Sequence, residues 1–172
     1  MNEDKVKILD QPALAARLKR MAYEVFEATY QEKKLIIIGI DERGGYLADK
    51  LSGFLKEISP QEILLVQAYL DRASDPGTIG IELSIDDIGL LENQAILVVD
   101  DVLYSGYTML NVVAILLQAG PKMIQTAALI DRGHRKMPVS PDFVGMELAT
   151  TIHQHVKVEI DGEKGVAEVF LR

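Results

Sequence analysis

A chain of 172 residues with 18 Lys and Arg against 26 Asp and Glu, net charge −8, suits one domain with a single core and argues against a general nucleic-acid binder. Hydrophobic residues at 48% and a mean hydropathy of +0.11 exclude a disordered tail, and without cysteine neither disulfides nor thiolate metal sites can form. No apolar run reaches the roughly 18–20 residues of a membrane helix, and the charged first twenty residues lack a signal peptide's apolar stretch, so a cytoplasmic protein is the default expectation.

Along the chain, Asp10 predicts a helix N-cap with Pro12 tolerated in the first turn. Leu14, Leu18, Met21, Val25 and Ala28 then recur at three- and four-residue spacing, one apolar helix face. The continuous apolar run "LIIIGI" (35–40) predicts a strand buried on both faces. After "DERGG" (41–45), Leu47, Leu51, Phe54 and Ile58 restore the helical period. Further strands are expected at "EILLVQAYL" (62–70), "IGIELSI" (79–85) and "QAILVVDD" (94–101). Val113, Leu116 and Leu117 mark a helix stopped by Gly120-Pro121, and "MIQTAALI" (123–130) is another strand. Beyond it "FVGMEL", "HVKVEI" and "GVAEVFLR" are short strands without intervening helices. The expected fold is α/β: a mostly parallel central sheet flanked by helices, with a small C-terminal β-rich portion. The whole chain, 1–172, reads as one domain, with a core over about 1–130 and the β-rich part over about 131–172 together with part of the N-terminal segment.

In such sheets ligands bind outside the carboxyl ends of the strands, so residues just after strands carry the chemistry. Two segments qualify: "DERGG" and "DDVLYSGYT" (100–108). A helix starting near Gly106 to Thr108 presents free N–H groups that suit a phosphate. The dipole alone adds only about 0.3–1 kcal/mol. Hydrogen bonds to a charged group are worth roughly 1.5–3 kcal/mol each, so N–H groups and the Ser105 and Thr108 hydroxyls would carry the affinity. Asp100 and Asp101 repel a phosphate but accept hydrogen bonds from a neighbouring diol. A phosphate loop beside an acidic diol clamp describes a ribose 5-phosphate site.

"ILVVDDVLYSGYT" (96–108) resembles the phosphoribosyl pyrophosphate (PRPP) motif of type I phosphoribosyltransferases, and more narrowly the PyrR family of pyrimidine-operon attenuators with uracil phosphoribosyltransferase activity. "RMAYEVFE" (20–27) is similar to that family's first helix and "GIDERGGYLADKL" (39–51) to its pyrophosphate loop. "LIDRGHRKMPVSPDFVGMEL" (129–148) resembles its base-binding hood. The resemblance implies the type I phosphoribosyltransferase fold and displacement at the ribose anomeric carbon with Mg²⁺-pyrophosphate leaving. It assigns Asp100 and Asp101 to the ribose hydroxyls, directly or through Mg²⁺, and Tyr104, Ser105, Gly106, Tyr107 and Thr108 to the 5′-phosphate. Arg43 and Gly44, in a turn after the first strand, would hold pyrophosphate, with Arg43 counted among the catalytic residues. Asp131, Arg132 and His134 would face the base, Phe143 would stack on it and Val144 backbone groups would bond its edge. A homodimer or higher homo-oligomer is expected, with a nucleobase and a nucleoside monophosphate as partners beside PRPP.

Tyr104 and Asp131 stand where 6-oxopurine enzymes usually carry an acid and a lysine, which favours uracil; a 6-oxopurine enzyme and a catalytically weak nucleotide-sensing regulator are the alternatives. The chain departs from the family at Tyr107, normally basic, at the acids Asp41 and Glu42 of the pyrophosphate loop, and in a shortened mobile loop over 71–92. RNA binding is not expected. Arg17, Lys19 and Arg20 spread around the first helix as a solvated face would, Tyr23 replaces the family's usual histidine, and −8 leaves little basic surface.

Overall fold

The computed structural model describes residues 5–71, 79–162 and 164–172. After a short strand, β1 (Val6–Leu9), helix α1 (Gln11–Thr29) starts as its sequence predicts. The Ala13 N–H donates to Asp10 Oδ1 at 2.9 Å, and Pro12 sits in the first turn, where its missing N–H costs nothing. The buried stripe is Leu14, Leu18, Met21, Ala22 and Val25, and it ends on Thr29 while Ala28 faces solvent. Strand β2 (Lys34–Ile40) leads directly into α2 (Asp41–Ile58), followed by β3 (Glu62–Asp71), β4 (Gly80–Leu83) and β5 (Ala95–Leu103). Helix α3 (Tyr107–Leu117) then connects to β6 (Met123–Asp131), β7 (Phe143–Glu147), β8 (Val156–Asp161) and β9 (Val166–Leu171).

Six strands form the main sheet in the order β4-β3-β2-β5-β6-β7, parallel throughout except for antiparallel β4 at one edge. The apolar runs occupy β2 and β5, its two central strands, as burial on both faces demands. One face packs on α1, α2 and a second, antiparallel sheet of order β1-β9-β8; the other packs on α3. Chain order reverses between β2 and β5, because β3 lies outside β2 while β5 returns on its other side. The crevice at that reversal is where a parallel sheet offers ligands its strand ends.

Two expectations about strands are corrected. "FVGMEL" does not belong to the appended small sheet. As β7 it extends the main sheet, parallel to β6, with Ala127 opposite Phe143 and Asp131 opposite Glu147. The link from β6 to β7 holds no helix, so the alternation that signals a parallel strand is missing there. Strand β1 was hidden in the charged N-terminal segment; its four residues pair with β9. No helix among the described residues is long and apolar enough to cross a membrane.

Candidate active site

Strand β5 ends in Asp100, Asp101, Val102 and Leu103, and the next three residues turn the chain into α3. Gly106 makes that turn with φ +82°, a left-handed conformation that other residues adopt at a cost. It is the N-cap of α3 and has no side chain to cap the first N–H groups of the helix, which starts at the edge of a cavity. That cavity, about 180 Å³, is lined by Asp100 and the run Val102 to Met109. The Ser105 hydroxyl reaches the Tyr107 N–H at 3.3 Å. The Ser105 carbonyl accepts from the N–H groups of Lys136 (2.9 Å) and Met137 (3.0 Å), which fastens the segment after β6 onto this loop. Ser105, Gly106, Tyr107 and Thr108 thus form a single cradle at a helix N-terminus.

The larger cleft beside it, about 490 Å³, is lined by Ile40, Asp41, Glu42, Arg43, Asp100, Asp101, Val102 and Thr108. Each aspartate uses one oxygen on the backbone: the Asp101 N–H donates to Asp100 Oδ1 and the Val102 N–H to Asp101 Oδ1, both at 2.8 Å. These bonds orient the carboxylates and leave their second oxygens for other partners. Burial, and then the neighbouring Asp101 charge, push the Asp100 carboxyl well above the usual carboxylate range. Arg43 reaches Asp101 Oδ2 at 3.6 Å, a long pair whose guanidinium is about half exposed (47%), so an incoming anion can recruit it.

Arg43 and Gly44 do not lie in a turn, as expected, but in the first turn of α2, which begins directly at Asp41. Glycine at 44 is required by contact: a Cβ there would sit 2.6 Å from the Val99 carbonyl oxygen and 3.5 Å from Asp100 Cα. The helix start therefore presses against β5 beside the two aspartates.

The segment after β6 is organised around Arg132, which is buried. Its Nε donates to Thr150 Oγ1 at 2.9 Å, and its Nη2 to the carbonyls of Gln154 (2.5 Å) and Thr151 (3.3 Å). The same guanidinium stacks 4.3 Å over the Tyr104 ring, and the His134 ring meets Tyr104 edge-on at 5.8 Å. His134 Nε2 is 2.6 Å from the Thr150 carbonyl oxygen, so that nitrogen carries the proton. Tyr104, Arg132 and His134 are thereby gathered at the end of this cradle. Thr150, which holds two of them, carries no periodic or motif signal in the sequence.

Three expected base contacts are not brought there. The Asp131 carboxylate accepts the Gly133 N–H at 2.9 Å and pairs with Arg135, the bonds of a turn former. Phe143 is buried in the core packed on α1 and α2, at the amino end of β7. The carbonyls of Val144 and Gly145 accept Arg20 Nη2 at 2.8 and 2.7 Å. Arg20 also pairs with Glu24 at 2.6 Å, so it clasps α1 to β7 while remaining exposed with Arg17 and Lys19, as expected of a solvated face. Of the expected mobile loop, 72–78 lie outside the described residues. Its flanks form the β3–β4 hairpin and a 3-10 turn (Ile88–Leu91), whose Gly89 N–H donates to Asp87 Oδ1.

The family model described as phosphoribosyl transferase domain matches residues 6–163. The chain is 34% identical to the Bifunctional protein PyrR of Pelotomaculum thermopropionicum over 174 residues, covering 96% of each. It is 36% identical to the protein of that name from Acetivibrio thermocellus, covering 92% of this chain and 91% of the relative. A solved hypoxanthine phosphoribosyl transferase of Trypanosoma cruzi superposes with a TM-score of 0.74 at 15% identity, over 83% of this chain and 77% of that one.

Proposed function

We propose that this chain, which belongs to the phosphoribosyltransferase domain family and within it to the PyrR proteins, transfers ribose 5-phosphate from PRPP to uracil, giving UMP and pyrophosphate. The observation that carries the reading is the juxtaposition of Asp100, Asp101 and Arg43 in one cleft that adjoins the helix cradle of Ser105 to Thr108. In this reading the cradle takes the 5′-phosphate, through the α3 N–H groups and the Ser105 and Thr108 hydroxyls. Arg43 exchanges Asp101 for the pyrophosphate, and the second oxygens of Asp100 and Asp101 then accept from the ribose hydroxyls.

As the base nitrogen forms its bond to the anomeric carbon, the carbon–oxygen bond breaks and its electron pair leaves with pyrophosphate. Positive charge grows on the sugar in between. Two carboxylates fixed by their own backbone bonds stabilise that charge more than they stabilise the neutral ground state, which lowers the barrier. The raised Asp100 also fits a hard cation, since two carboxylates held by the backbone suit Mg²⁺ when substrate oxygens complete its shell. Among the described residues no group of three or more acids or histidines could hold a metal without such help. Bound with PRPP, Mg²⁺ would neutralise the departing pyrophosphate. Asp100 and Asp101 are the residues that would hold it.

Uracil is favoured by the activity that the PyrR resemblance implies and by Tyr104, a phenol at the cradle's end where a purine enzyme would want an acid. The test is incubation with PRPP, Mg²⁺ and each of uracil, hypoxanthine, guanine and adenine. UMP from uracil is the expected product, and nucleotide from hypoxanthine or guanine alone would replace this reading with the purine one. RNA is left out of the proposed partners because Arg20 is already committed to Glu24 and to β7, and Lys34 pairs with Glu62 at 3.2 Å. Binding to a pyrimidine-operon leader hairpin should stay near the roughly 10⁻⁴–10⁻⁶ M of non-specific contacts. A nanomolar complex strengthened by UMP would overturn this.

A further inference from the structure

The first turn of α2 is held in an unusual way. Its N-cap, Ile40, offers no side-chain bond, and Asp41 sits at φ +50°, a conformation that non-glycine residues adopt at a cost. Two bonds from β3 hold it there. Gln67 Nε2 donates to the Asp41 carbonyl at 2.5 Å, and the Leu70 N–H donates to Asp41 Oδ1 at 3.0 Å. The Gln67 amide occupies space that only glycine leaves: a Cβ on Gly45 would lie 2.1 Å from Gln67 Oε1 and 2.9 Å from its Cδ. Beneath them Gly39, opposite Gln67 in the β2–β3 ladder, has no room for a Cβ either, since it would meet Gly45 Cα at 2.5 Å. Arg43 stands two residues from Asp41 and two from Gly45.

We infer that Gln67 is a positioning residue for the proposed pyrophosphate site: wedged against Gly45 and bonded to Asp41, it fixes the first turn of α2 and so the place from which Arg43 reaches an anion. The inference rests on the transferase reading above. It also gives Asp41 a place in a loop meant for an anion, because one oxygen of its carboxylate is turned onto β3. Gln67 itself touches no reacting atom in this account.

The test compares the wild type with Gln67→Ala, Gly45→Ala and the double variant. Binding of Mg²⁺-pyrophosphate is measured by calorimetry, and amide hydrogen exchange is followed over residues 42–45. Alanine in place of a helical glycine normally firms a helix. Here its methyl group must displace the Gln67 amide, so the opposite result is expected. Each single variant should weaken pyrophosphate binding about tenfold and speed exchange in the first turn. The double variant should be no worse than either, because both remove the same wedge. Wild-type binding and exchange in Gln67→Ala, or losses that add in the double variant, would overturn the inference. If the wild type itself does not bind pyrophosphate, the transferase reading fails, and the exchange data alone decide the clasp: faster exchange in both single variants without addition sustains it, and unchanged exchange refutes it.

Discussion

The strand-end half of the cleft, proposed above to hold sugar and phosphate, and the hood half are built by different means. In the first, Asp100, Asp101, Ser105 and the start of α2 are continuous with strands β5 and β2, and the ladder fixes their positions. In the second, Tyr104, Arg132, His134 and Thr150 are gathered by side-chain bonds across irregular chain. Geometry set by a sheet resists local change, whereas geometry set by one buried guanidinium depends on that residue. In the proposed reading the first half carries the transfer chemistry and the second the choice of base.

The comparison can be broken most decisively at the strand end. Asp101→Asn keeps the acceptor for the Val102 N–H but removes a charge that favours a cationic sugar. Turnover should fall about 10²–10³-fold, the range for loss of one preorganised electrostatic group, while UMP affinity changes little. Steady-state kinetics beside a UMP titration would check this. Equal, small effects on both would reduce the pair to structural polar residues.

Next in size is Arg132→Ala. It strips three carbonyl and hydroxyl acceptors of their charged donor and uncovers the Tyr104 ring, at a cost of about 3 kcal/mol in stability. If the halves are independent, KM for the base rises steeply while ribose 5-phosphate affinity holds. Parallel loss of both would mean that the bonds from Ser105 O to Lys136 and Met137 couple hood and cradle more tightly than the division above allows.

Smaller still, Ser105→Ala and Thr108→Val should each weaken 5′-phosphate compounds by about 1–2 kcal/mol, the scale of one hydrogen bond to a charged group. Unchanged calorimetric affinity in both would move the phosphate elsewhere.

The same contrast explains what could be read in advance. Apolar runs announced β2, β5 and β6 because central parallel strands are buried on both faces. The acids followed by Ser105-Gly106 announced the cradle because only a left-handed residue turns β5 into α3. Local pattern failed wherever a side chain bonds distant backbone. Arg20 reaches β7 across 124 positions, and Gln67 reaches Asp41 across 26. Gln67 left one trace, a lone amide inside the apolar run "EILLVQAYL". Phe143 reads as a stacking ring only while β7 is taken for part of the hood; as a strand of the main sheet it supplies core.

The smallest expected effect concerns Asp100 and stability. Burial, and then the Asp101 charge, hold its carboxyl well above the ordinary value near 3.9. The folded chain therefore binds this proton more tightly than the unfolded chain does. Stability from this group is fully present below the unfolded value and is lost as pH rises through the folded one. Above the unfolded value the folded protein bears a growing cost, either of keeping this proton or of ionising Asp100 in its place beside Asp101. Asparagine removes the charge while its Oδ1 can still accept the Asp101 N–H. Asp100→Asn should therefore melt above the wild type at pH 7–8, with the gap closing as pH falls towards about 4. Asp101→Asn should narrow the wild type's pH dependence as well, by removing the second cause of the shift. The effect stays small because Asp100 is only partly buried where it lines the cleft, so water still screens part of the charge. Melting curves of the three proteins from pH 4 to 8 decide it: a gap that widens on acidification would mean that Asp100 is stabilised as the anion, and the strand end would then be a preformed cation site instead of a pair of acids under strain.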